Sequence, residues 1–247
     1  MRHQIRQLVI LHELLFSVVL FSSCSIISPT TPTITPTNTT LPSPTTTLTP
    51  TITPTPSYND LPIVISDTFD EDTGIWQTGN INDEYTKGTI SIIGGKYYIK
   101  ITAKKPVFWS YSPKMDDVEN VFASVKVDKW DGTKSADYGL LVRNIFYFQI
   151  NKDYQQYGFE KGIPSEGWTQ LTLLTTSLLI SPYEPNEIGI RAIDNQYDFF
   201  INGYKVDDAK DNTLLLGQVG IGISLYRAGD WIEITFDNFE VRTIPEK

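Results

Sequence analysis

An all-β fold of two packed antiparallel sheets, a β-sandwich or jelly roll, is what the C-terminal part of this 247-residue chain predicts. Three observations carry that prediction. Apolar and polar residues alternate with period 2 through segment after segment, which is the pattern of strands with one face on a core. Glycine-, aspartate- and asparagine-rich turn signals separate these segments. No segment shows a helical period, and many antiparallel strands without a long helix imply a sandwich or jelly roll.

In chain order, "KYYIKI" sets Tyr97, Ile99 and Ile101 on one side and Tyr98 and Lys100 on the other. "ASVKVDKW" sets Ala123, Val125 and Val127 against Ser124, Lys126 and Asp128. In "FYFQIN", Phe146, Phe148 and Ile150 oppose Tyr147, Gln149 and Asn151. "YDFFING" opposes Tyr197, Phe199 and Ile201 to Asp198, Phe200 and Asn202, and its Asn202-Gly203 pair is the residue choice of a tight hairpin. "QVGIGISL" sets Val219, Ile221, Ile223 and Leu225 against glycines and Ser224. "WIEITF" sets Ile232, Ile234 and Phe236 against Trp231, Glu233 and Thr235. The breaks fall at "IGG", "WDGT", "EKGIPSEG", "DNQ" and "RAGD".

The ordered set "DTFDEDTGIW", "GGKYYIKI", "YGLLVRN", "FYFQINKDYQQYGFEK", "GWTQL", "NEIGIRAIDNQYDFFINGYKV", "GQVGIGIS" and "ITFDNFEV" resembles the concanavalin A-like lectin/glucanase jelly roll. Within that fold it is most similar to the laminin G-like and 3-keto-disaccharide-hydrolase-like domains of exported bacterial proteins. The resemblance covers nearly all of 60–243. It implies a fold and leaves function open, because this fold carries lectins, glycosidases and structural modules alike.

The N-terminal part follows other rules. Arg2 and Arg6, an apolar run from Leu8 to Phe21 and the small residues Ser22 and Ser23 describe a secretory signal peptide. The run is shorter than the ~20 residues a membrane span needs. Two small residues before the chain's single cysteine, Cys24, resemble the bacterial lipoprotein signal, in which the cysteine is lipidated and becomes the new N-terminus; the sequence departs from it in that Phe21 stands where that signal has leucine and Glu13 interrupts the apolar run. Ordinary secretion and an uncleaved anchor are the alternatives. From Ser25 to Ser57 the chain is mostly threonine and proline, which disfavours helix and sheet and cannot bury enough surface to order itself. The organisation expected is therefore a lipoprotein signal peptide at 1–23, a disordered linker at 24–58 and one β-jelly-roll domain at 59–247. Such a protein would stand lipid-anchored on the extracytoplasmic face of the cell membrane. A stretched linker at ~3.1 Å per residue spans on the order of 100 Å.

Composition removes several chemistries. Both histidines, His3 and His12, lie in the leader, so the rest of the chain offers no Ser-His-Asp or Cys-His machinery and none of the usual zinc or copper sites. The net charge is -9, and it becomes -10 without Arg2, Arg6 and Glu13. An acidic domain without a basic stripe excludes nucleic acid as a partner and is repelled by anionic headgroups. Membrane contact is then through the lipid anchor only.

The resemblance implies three readings of the domain. As a binding module for glycan or another surface polymer, the polar side of the central meander offers Arg143, Tyr147, Gln149 and Glu160, with Trp109, Tyr111 and Tyr157 nearby; an open groove lined by Arg143, Tyr147 and Gln149 with an aromatic beside it favours binding there, and a cover over them counts against it. Core and cross-strand packing is the competing use of these aromatics, and a salt bridge across the sheet that of Arg143. As a glycosidase, the chain would need two carboxylates ~5–5.5 Å or ~6.5–9.5 Å apart. Glucanases of this fold carry a Glu-x-Asp-x-x-Glu strand, but "FYFQINKD" has no carboxylate until Asp153. Asp237 and Glu240 match the last two acids of that pattern with Thr235 in place of the first, and Asp117 and Glu119 lie near a loop. A non-enzymatic protein-interaction or envelope-structural domain is the third reading. The resemblance also implies a structural Ca²⁺ between the first and last strands, with Asp67, the carbonyl of Gly95 and Asp237 as ligands.

Overall fold

The computed structural model describes residues 58–245; the signal peptide, Cys24 and nearly all of the linker lie outside the described residues. Fifteen strands and no helix are found there. They are β1 (Ile63–Asp67), β2 (Gly79–Asn82), β3 (Thr86–Ile92), β4 (Tyr97–Ala103), β5 (Val107–Tyr111), β6 (Val121–Gly132), β7 (Asp137–Val142) and β8 (Phe146–Asn151). The second half supplies β9 (Gln156–Ile163), β10 (Gly167–Thr176), β11 (Asn186–Ile193), β12 (Gln196–Ile201), β13 (Tyr204–Lys210), β14 (Val219–Leu225) and β15 (Trp231–Thr243). They form two sheets, ordered β13-β12-β11-β6-β15-β4-β3-β2 with β1 also on β15, and β10-β9-β8-β7-β14-β5. Every pairing is antiparallel.

The alternation read from sequence is the alternation observed. Tyr97, Ile99 and Ile101, Phe146, Phe148 and Ile150, Ile221 and Ile223, and Ile232, Ile234 and Phe236 are all completely buried between the sheets. Rings from β8 and β9 stack on rings from β12 across the sandwich: Phe148 on Phe199 (centroids 4.9 Å), Phe159 on Phe199 (4.4 Å) and Phe146 on Tyr197 (4.8 Å). Each such pair contributes ~0.5–1.5 kcal/mol beyond the area it buries. The buried core runs from Phe69 to Val241, within the described residues 58–245. The Asn202-Gly203 pair joins β12 to β13 with φ of 49° and 79°, the double left-handed turn that matches strand twist.

One turn differs from expectation. "WDGT" does not break the chain: β6 runs through Trp130, Asp131 and Gly132, paired with Ile234, Glu233 and Ile232 of β15, and the turn falls at 133–136. The partner strand is long enough to keep pairing, and a ladder of backbone bonds outweighs a local turn preference.

Candidate functional site

The six-stranded sheet has two faces, and the outward one is also covered. All residues of β7, β8 and β14 are buried, those on the outward side included. Glycines make this possible. At Gly222 an added Cβ would stand 2.6 Å from the Tyr147 ring and 2.8 Å from the Phe108 ring; at Gly162 it would stand 2.9 Å from the Trp168 ring. Rings therefore pack against bare backbone where a side chain would stand. Phe108, Tyr147 and Trp168 pack edge to face, with centroids 4.8 Å apart for Phe108–Tyr147 and 4.7 Å for Phe108–Trp168. Together with Leu141 they form a small apolar cluster separate from the main core. The Tyr147 hydroxyl donates to the Gly222 carbonyl at 3.2 Å.

Beside this cluster lies a polar one. Gln149 sits two residues along β8 from Tyr147, ~7 Å further on the same face. Its Nε2 donates to Glu160 Oε1 of β9 at 3.0 Å. Asp137, the first residue of β7, accepts the Tyr226 hydroxyl at Oδ2 (2.5 Å) and Asn151 Nδ2 at Oδ1 (2.8 Å). The Tyr226 hydroxyl also stands 3.4 Å from Gln149 Oε1. Tyr226 follows the last residue of β14 and is held by Asp230 Oδ2, which accepts the backbone N–H of Tyr226 (3.1 Å) and of Arg227 (2.9 Å). Burial pushes the Asp137 carboxyl up to about 7; the bonds from Tyr226 and Asn151 act against it and the charge of Glu160 acts with it. Burial likewise raises the Tyr147 and Tyr226 hydroxyls. Trp168 and Glu160 are partly exposed and Tyr226 is 37% exposed, so an aromatic edge and a carboxylate reach solvent on one face.

The expected residues divide. Tyr147 and Gln149 do lie on this face, yet they are 0% and 2% exposed, so the open groove is corrected to a covered layer with Trp168, Tyr226 and Glu160 at its surface, and direct ligand contact by Tyr147 and Gln149 is lost with it. Trp109 and Tyr157 face the main core; the Tyr157 hydroxyl donates to the Val206 carbonyl at 3.1 Å. Arg143 is corrected most strongly. It occupies the β7–β8 turn at φ 52°, is completely buried, and donates to the carbonyls of Asp194 (2.7 Å) and Glu119 (2.8 Å) and to the Tyr197 hydroxyl (2.8 Å). Its guanidinium lies 5.1 Å from the Tyr197 ring centre. It braces one sheet against the other and presents nothing to a ligand.

The carboxylates compared with the glucanase pattern are elsewhere. Asp237 and Glu240 lie on β15 of the nine-stranded sheet, where Asp237 pairs with Lys96 and Glu240 with Arg242 (2.6 Å). The implied calcium ligands do not fit a cation. Asp67 accepts the Phe69 N–H (2.7 Å) at one oxygen and Trp76 Nε1 (2.9 Å) at the other. Asp237 accepts the Asn238 N–H (2.8 Å), and the Lys96 ammonium already sits between it and Asp128 (2.7 Å). Gly95 lies in the turn before Lys96 at φ 69°. Among the described residues no group of three or more His, Cys, Asp and Glu could hold a metal ion.

Asp137, Trp168 and Tyr226 carry no signal in the sequence. Asp137 is separated from Tyr226 by 89 positions, and only the β7–β14 pairing joins them. The glycines opposite aromatic positions were the nearest available sign.

No protein-family model matches the sequence, and no curated protein sequence matches it. Solved structures do. The chain is similar to the carbohydrate-binding module CBM66 from Bacillus subtilis (12% identity, 68% of this chain and 96% of that one, TM-score 0.50). It is similar to SCLam, a non-specific endo-β-1,3(4)-glucanase from family GH16 (10%, 77% and 94%, TM-score 0.55). It is also similar to the catalytic domain of an endo-1,3-β-glucanase (laminarinase) from Thermotoga petrophila RKU-1 (10%, 76% and 99%, TM-score 0.53). At such identities the likeness is one of fold: the described part of the chain is an all-β, concanavalin A-like sandwich.

Proposed function

We propose that this protein is a surface-anchored glycan-binding module and that the outward face of its six-stranded sheet receives the glycan. The observation that carries the reading is the pairing on that face of partly exposed aromatic rings, Trp168 and Tyr226, with a partly exposed carboxylate, Glu160, that the buried Gln149 amide holds in place. Sugar rings present C–H surfaces and hydroxyls, and sites with mostly apolar walls and a few convergent polar groups suit them. The similarity in fold to a carbohydrate-binding module and to glucanases supports the same reading. Lipidation of Cys24, display on the extracytoplasmic face of the cell membrane and a Thr/Pro spacer complete the proposal; these rest on the sequence.

The test is retention of residues 58–247 by a panel of insoluble polysaccharides. The wild type should bind at least one, and Trp168→Ala and Tyr226→Ala should each weaken binding by roughly tenfold, the size of a lost aromatic contact of ~1.4 kcal/mol. Failure to bind any polymer, or unchanged binding by both variants, would overturn the reading. A glycosidase is the second reading, because Asp137 and Glu160 place two carboxylates on the same face. Both oxygens of Asp137 already accept hydrogen bonds, and the residue is buried. Reducing-sugar release lost on Glu160→Gln would favour hydrolysis.

A further inference from the structure

The polar cluster is a chain of hydrogen bonds whose direction depends on one proton. Asn151 fixes its inner end: Oδ1 accepts the Tyr154 N–H (2.9 Å), so Nδ2 is the atom that donates to Asp137 Oδ1. A proton on Asp137 therefore belongs on Oδ2, the oxygen 2.5 Å from the Tyr226 hydroxyl. With Asp137 ionised, Tyr226 donates to it, and the Tyr226 oxygen then faces the Gln149 Oε1 acceptor at 3.4 Å with no hydrogen between them. With Oδ2 protonated, Asp137 donates to Tyr226, Tyr226 donates to Gln149 Oε1, and Gln149 Nε2 donates to Glu160 at 3.0 Å. All bonds then run one way, and aligned bonds strengthen one another.

We propose that Asp137 is a positioning residue of this face, whose Oδ2 proton locks the Tyr226 ring and the Gln149 amide in the arrangement that receives the glycan; this rests on the reading of the face as a glycan site. Asp137 itself touches no ligand. The titratable groups that face it are Tyr226 beyond β14, Tyr147 on β8, Glu160 on β9 and its own neighbour Tyr138; Asn151 and Ser224 are neutral. Burial places the proton's release near neutrality, since it holds the carboxyl up to about 7. Below that pH, Tyr226 is fixed by two bonds and Gln149 by two. Above it each loses one, and a ligand must order them on binding.

The experiment has two arms on residues 58–247. In the first, affinity for the polysaccharide that retains the wild type is followed from pH 6 to pH 8 for wild type, Asp137→Asn and Tyr226→Phe. Wild-type affinity should fall about fivefold, the scale of one net hydrogen bond. Asp137→Asn, whose amide N–H stands where the proton stood, should keep the pH 6 affinity throughout, and Tyr226→Phe should be weak and flat. The second arm needs no ligand: the ¹³Cζ resonance of Tyr226 should step between pH 6 and pH 8 in the wild type and not in Asp137→Asn. An Asp137→Asn protein that loses affinity with pH as the wild type does, or a Tyr226 resonance without the step, overturns the proposal. A wild type that shows the step but binds no polysaccharide overturns the glycan reading instead.

Discussion

The two outward faces of the sandwich are built from opposite materials. On the nine-stranded sheet, charges lie in pairs: Lys100 with Glu233 (2.6 Å), Arg191 and Lys205 on Asp198, Lys205 on Asp208 (3.2 Å), and Lys96 between Asp128 and Asp237. On the six-stranded sheet, rings pack close over glycines and carboxylates are bonded to neutral donors. Matched surface charges are worth little and serve solubility. An acid buried without a cation, as Asp137 is, is costly to ionise, whereas the equally buried Asp198 of the nine-stranded sheet is met by Arg191 and Lys205. The contrast is one of materials: acids on the nine-stranded face are met by cations, and Asp137 on the six-stranded face by neutral donors.

The contrast can be broken most directly by adding one methyl to each face. Gly222→Ala should destabilise by ~2 kcal/mol, because its Cβ meets the Tyr147 and Phe108 rings at 2.6 and 2.8 Å and those rings have packed neighbours behind them. Gly189→Ala, on the nine-stranded face, meets the Phe122 ring only at ordinary contact distance, 3.4 Å, and should change stability by less than ~0.5 kcal/mol. Equal effects in urea denaturation would erase the distinction.

Acidity should sharpen it. Asp137 has its carboxyl raised from 3.8 to about 7, so between those values the folded state holds a proton that the unfolded state has released. Stability then declines as pH rises from about 4 to about 7, by at most ~1.4 kcal/mol per unit from this residue. Below that window both states are protonated; above it both are ionised and the penalty is complete. On the other face, Lys100 holds Glu233 low and Lys205 holds Asp208 low. Their contribution is present above the ordinary carboxylate range and is lost as pH falls through their lowered values. Denaturation of Asp137→Asn against wild type should remove the decline between pH 4 and pH 7 and leave the acid limb intact. The smallest expected effect is at the ion pairs themselves: Lys100→Met should leave the melting temperature at pH 7 unchanged within measurement error, since both partners of the Lys100–Glu233 pair are exposed.

Much of the fold was legible. Side chains on a strand alternate whatever the strand's partner is, so Tyr97, Ile99 and Ile101, or Phe146, Phe148 and Ile150, announce a core face before any pairing is known. Asn202-Gly203 announces its hairpin for a similar local reason. The site was legible only in part. Tyr147, Gln149 and Glu160 were placed on the correct side of their strands. That the first two are covered depends on glycines of β7 and β14 and on rings from β5 and β10, which reach them through five separate pairings. Arg143 reads as an outward polar residue by alternation; it turns inward because its left-handed backbone aims the side chain at Tyr197 of the other sheet.

By itself, then, the sequence determined the strands, their core faces, the hairpin at Asn202-Gly203, the acidic charge and the absence of histidine after His12. These depend on residue type and on neighbours one or two positions away. Only the tertiary structure decided which polar residues meet. Asp137 and Tyr226 come together because β14 returns to pair with β7 after the 76 residues, 143–218, that separate the two strands. Contacts of that kind are fixed by the order of strands in a sheet, and strand order is set by the packing of the whole core rather than by any local pattern.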